Sequence, residues 1–68
     1  MNKDELKLVL DKHEKWLTGD GGERADLSGA NLSGANLHDE DLRWAILIDT
    51  DLTGADMSFA ILTGAILN

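Results

Sequence analysis

Two hydrophobic periodicities divide this chain. Over residues 1–19, Leu6, Val9, Leu10, His13, Trp16 and Leu17 recur at the spacing of one helical face. Asn2 stands where an N-cap belongs, and Glu5 three residues later completes the pattern of a capping box. Asp11 and Lys15 form an i,i+4 pair of the favourable order, and Gly19 is a natural stop. The pattern predicts one amphipathic helix. Asp20-Gly21-Gly22 then makes a flexible turn.

From residue 25 the period changes to five. The chain reads ADLSG, ANLSG, ANLHD, EDLRW, AILID, TDLTG, ADMSF, AILTG, AILN. The third position is Leu in every pentad except one, where it is Met57, and the first is Ala except at Glu40 and Thr50. A period of five is neither the 3.6 of a helix nor the 2 of a strand. It requires a solenoid in which each pentad forms one short side and then turns.

The A-(D/N)-L-x-x run resembles the pentapeptide repeat family over residues 25–68. His13 to Leu17, Gly22 and Arg24 to Leu27 also resemble the junction in small bacterial and phage members that join a helix to the repeat. The resemblance implies a β-solenoid, a right-handed quadrilateral β-helix of four pentads per coil, with each Leu and the Ala before it inward. At twenty residues per coil, residues 25–68 give about two coils, only ~10 Å tall. Large Leu and small Ala together fill a narrow core. Gly29, Gly34, Gly54 and Gly64 fall at the corners. The expected organisation is an N-terminal capping helix over 1–19 and a β-helix over 20–68, forming one domain. Leu6, Leu10, Trp16 and Leu17 are expected to cover the first open end, and nothing after Asn68 covers the second.

In this frame every fourth pentad stacks, so outward columns can be assigned. Asp26, Ile46 and Ile66 form one column, and Ser28, Ile48 and Asn68 the next. Asp41 and Ile61 share the preceding face, with Trp44 at its corner. Trp44, Ile46, Ile48, Ile61 and Ile66 therefore gather near the C-terminal end, at positions that are usually polar in the family. A contiguous exposed apolar patch commonly marks an interface. A ladder of β-branched residues packing only locally is the alternative. Trp44 is open to either role.

Charge and composition narrow the function. Four lysines balance four carboxylates in residues 1–19, so the whole net charge of −7 falls on residues 20–68. That acidity opposes direct nucleic-acid binding. The absence of cysteine excludes disulfides and thiolate chemistry. No apolar run reaches the ~20 residues of a membrane span. The charged start lacks a signal-peptide core, so a cytoplasmic protein is expected, bacterial or within a phage-infected host.

Asp26, Asp39, Asp41, Asp49, Asp51 and Asp56 form an acidic surface. Some pentapeptide repeat proteins are thought to mimic DNA toward a topoisomerase, and the resemblance raises that alternative. Against it, ~10 Å covers only about three base pairs, and Asp is an ordinary solvating residue of the repeat. Glu40 occupies an inward Ala position, where an unpaired carboxylate is costly. A bulge at 39–41, or a swing of Glu40 toward Arg43, is the expected remedy.

No catalytic constellation is evident. His13 and Trp16 read as packing residues of the helix face. His38 with Asp39 and Asp56 is too sparse to suggest a metal. The serines lack a base, and a convex rod lacks a cleft. The sequence therefore implies a non-catalytic interaction module with no cofactor and no metal. Its expected partners are itself, as a homodimer, or another protein. A bacterial target of a phage-type inhibitor would fit the resemblance.

Overall fold

The computed structural model describes residues 1–67; Asn68, and its place in an outward column, lie outside the described residues. Helix α1 spans Lys3–Thr18. Its start is fixed by the capping box. The Asn2 side chain accepts from the Glu5 N–H at 2.8 Å, and the Glu5 carboxylate reaches back to the Asn2 N–H. Gly19 ends the helix in the left-handed conformation, with φ 80°.

The repeat turns into ladders rather than long strands. Asp26 pairs in parallel with Ile46, Asn31 with Asp51, Asn36 with Asp56 and Asp41 with Ile61. Strand β1 (Ile46–Leu47) pairs in parallel with β2 (Ile66–Leu67), Ile46 opposite Ile66. Every pairing has an offset of twenty residues, so each pentad lies beside the one four repeats on. The bonds are regular. Ile46 N–H donates to Ala25 C=O at 2.9 Å, and Leu27 N–H donates to Ile46 C=O at 2.8 Å. The same pair of bonds recurs in the neighbouring pentads.

All eight complete pentads end in a residue with positive φ, between 57° and 74°. Four of these are glycine; the others are Asp39, Trp44, Asp49 and Phe59. The corner is thus a backbone requirement that glycine meets without strain and the other four meet at a cost.

The core follows the third position. Leu27, Leu32, Leu37, Leu42 and Leu47 are buried with Ala25 and Ala45, and Leu6 of α1 joins them. Val9 and Leu10 pack against this cluster. Toward the C-terminal side the same positions open. Leu52, Met57 and Leu62 are only half-buried, and Leu67 is 57 % exposed.

Two expectations for this region are corrected. Trp16 is not core: it is 38 % exposed, lying on the His13 ring at 5.6 Å with the Arg24 guanidinium 5.9 Å from its centre. Nor does the backbone bulge at 39–41. Glu40 N–H donates to Leu37 C=O at 3.2 Å and Glu40 C=O accepts from Ile61 N–H at 2.9 Å, so the repeat runs through unbroken. Arg43 grips Asp41 through two guanidinium nitrogens, at 2.9 and 2.7 Å, and leaves Glu40 to itself.

Candidate functional site

The junction of α1 with the repeat rests on one histidine. His13 is fully buried. Its Nδ1 accepts the Ala25 N–H at 3.0 Å, and its Nε2 lies 2.9 Å from Arg43 C=O. An amide only donates and a carbonyl only accepts, so both partners select the neutral ring with its proton on Nε2. Sequence periodicity placed His13 on the helix face as a packing residue. The structure adds two long-range hydrogen bonds that no local pattern discloses.

The apolar surface lies at the far end. Ile46 and Ile66 stand side by side in β1 and β2, and Ile61 continues the neighbouring face beside Asp41. Ile61 is 47 % exposed and Ile66 41 %, whereas Ile46 and Ile48 are half-buried. Trp44 is half exposed at its corner and lies over Gly64: any Cβ at Gly64 would run into the indole ring. The corner contact is therefore a structural one, and it leaves the other indole face to solvent. Leu67 adds an exposed side chain that the sequence frame had turned inward. Phe59 is 81 % exposed, edge-on to His38 at 5.7 Å.

The acidic residues have local work. Asp26 Oδ1 accepts from the Ser28 N–H at 3.1 Å and the Ser28 hydroxyl at 2.6 Å. Asp51 accepts from Thr53 N–H and Asp56 from Ser58 N–H, each at 3.0 Å. Asn31 and Asn36 make the same turn with Ser33 and His38. These are Asx-turns, in which the side chain closes the backbone two residues on. The hydroxyl bond first, and the amide bond next, hold the Asp26, Asp51 and Asp56 carboxyls below their usual range. Asp41 is lowered chiefly by its bond to Arg43. Asp39 meets His38 at 2.9 Å, and Asp49 stands exposed at a corner. Ile46, Ile61 and Ile66 replace the turn-closing side chain in their own pentads.

Among the described residues no group of three His, Asp or Glu side chains could hold a metal ion, and no helix is long and apolar enough to cross a membrane. The features together define a repeat protein: a parallel ladder of constant offset, helically flanked, with an apolar patch on its surface. Pentapeptide repeats match residues 25–68 in eight copies, and the chain belongs to the pentapeptide repeat family. Its members generally form right-handed quadrilateral β-helices that serve as non-catalytic protein-interaction or structural modules. No curated protein and no solved structure matches the chain.

Proposed function

We propose that this chain is a right-handed quadrilateral β-helix of about two coils, with α1 over its first coil. It acts as a non-catalytic interaction module through the isoleucine-rich faces at its C-terminal end. The observation that carries the reading is the exposure there of Ile61, Ile66 and Leu67 together. The family's outward position is usually polar and closes a turn, as Asp26 does here. Isoleucine surrenders that turn bond and places apolar surface in water. Burying such surface is worth about 25 cal/mol per Å2, so a partner regains what the fold gives up.

The first partner we propose is a second copy of the chain, and the next a bacterial protein held by the same faces in the manner of a phage-type inhibitor. The setting we propose is the cytoplasm. An acidic DNA mimic acting on a topoisomerase would use the Asp surface instead, and its binding would weaken steeply with salt. The test is the solution mass by light scattering, for the native chain and for an Ile61→Asp, Ile66→Asp variant. A native dimer that salt does not weaken, reduced to a folded monomer by the variant, supports self-association through these faces. A native chain that stays monomeric at high concentration overturns the homodimer.

A further inference from the structure

The ladders have an N-terminal edge, and their register fixes which main-chain groups face it. Asp51 and Asp56 N–H donate back to Ala30 and Ala35 C=O, both at 2.9 Å. Their neighbours Leu32 and Leu37 donate to Asp51 and Asp56 C=O at 2.8 Å, and Gly34 donates to Thr53 C=O at 2.9 Å. Asn31, Asn36 and Ser33 occupy the equivalent positions one step earlier. Their corresponding groups therefore face the side where α1 lies, with no further pentad there among the described residues.

α1 satisfies only part of that edge. The His13 Nε2–H takes Arg43 C=O, and the Met1 ammonium takes Asn31 C=O at 3.2 Å. Among the described residues, the N–H groups of Asn31 and Asn36 and the C=O groups of Ser33 and Asn36 have no intramolecular partner. A cleft of about 650 Å3 opens between this stretch and the helix. Its apolar lining comes from Leu6, Leu10, Leu32 and Ala35. Its charged lining has both signs: the Met1 ammonium is held by Asn31 C=O, Lys7 pairs Asp11 at 3.2 Å and Lys3 stands at the rim, while Glu14 and Glu40 have no basic side chain in ion-pair contact among the described residues.

Glu40 breaks the alanine pattern of the repeat and lines this cleft. Burial, and then the charges of Glu14 and Asp11, push its carboxyl above the usual range. An added cation would relieve that repulsion. An added strand would pair the open edge, as in β-augmentation.

We propose that the cleft binds a short extended peptide segment of a partner protein, its main chain pairing with Asn31 N–H and Ser33 C=O on one side of the coil and a basic side chain held by Glu14 and Glu40. This surface is at the opposite end from the isoleucine faces and does not depend on them.

The probe is acetyl-Lys-Val-Lys-Val-Lys-amide, titrated into the isotopically labelled full chain and followed by amide NMR. Saturable shifts at Asn31 and Ser33 are expected. Backbone N-methylation of the peptide should weaken binding about tenfold, since each lost main-chain bond is worth roughly that factor. Glu40→Ala, which restores the residue of the repeat, should weaken it severalfold, and Glu14→Gln likewise. The Ile61→Asp, Ile66→Asp variant should bind as the native chain does. Absence of saturable shifts at millimolar peptide overturns the proposal. So does binding indifferent to N-methylation with shifts spread over all the aspartates, which would be charge attraction alone.

Discussion

Corner residues test how far a side chain can redeem a strained backbone. Trp44 and Phe59 have almost the same φ, 67° and 60°. A bulky residue there costs roughly 1–2 kcal/mol relative to glycine, part of which glycine returns through its freer unfolded chain. Phe59 recovers little, since it is 81 % exposed and touches the His38 ring only by its edge. Trp44 instead lays its indole over Gly64. Phe59→Gly is therefore expected to be neutral or to stabilise by up to about 1 kcal/mol, while Trp44→Gly destabilises by about 1–2 kcal/mol. Urea unfolding of the two variants checks this, and equal effects would refute the distinction. Glu40 is the other residue out of pattern. Its carboxyl is raised, so the folded state disfavours the ionised form. The penalty is present in full above the folded value and disappears as pH falls below the unfolded one. Glu40→Ala should stabilise by roughly 0.5–1 kcal/mol near neutrality and by progressively less in acid. A constant gain across that pH range would show that side-chain size, not charge, is responsible.

At the scale of elements, α1 and the ladder are joined by a polar lock inside an apolar contact. His13→Ala leaves the Ala25 N–H and Arg43 C=O without partners at a buried site and opens a void. A loss of about 2–4 kcal/mol is expected by chemical denaturation. His13→Leu, matched in bulk, should recover little of it; full recovery would reduce the lock to packing. Gly22 supports the same joint. A Cβ there would collide with the backbone of Lys12 and Trp16, so this turn sits tight against the helix. What the sequence disclosed at this scale depended on period. An apolar helical face located α1 to within a residue at each end, and the Leu at the third place of each pentad located the core, while the twenty-residue register came from the family resemblance. Long-range polar contacts carry no period. The bonds of His13, the Thr50 hydroxyl on Leu27 C=O at 2.7 Å, and the exposure of Trp16 arise from residues distant in sequence. Glu40 was legible as an anomaly. Its setting was not, because Glu40 lines a cleft beside α1 while its neighbour Arg43 is held by Asp41.

For the whole molecule, the carboxylates bear on stability and on function at once. Asp26, Asp51 and Asp56 are held below the usual range by turn hydroxyls and amides. Their stabilisation is therefore complete above the unfolded-state value and is lost as pH falls through the folded one. The native chain should lose stability on acidification, with the relief at Glu40 acting in the opposite sense. The chain contains its own control, because Asn31 and Asn36 close the same turn with an amide oxygen that does not titrate, at 3.0 and 3.1 Å. An Asp26→Asn, Asp51→Asn, Asp56→Asn variant should thus keep the fold and most of its stability at neutral pH. It should also unfold at a lower pH than the native chain when followed by circular dichroism. An unchanged acid transition would mean that these turn carboxylates do not govern it. The same variant removes three negative charges from the ladder without touching Ile46, Ile61 or Ile66. Association through the isoleucine faces should survive it and strengthen slightly, since two acidic chains then repel less. Association that collapsed with the three aspartates, while the fold persisted, would transfer the function from the apolar faces to the acidic surface.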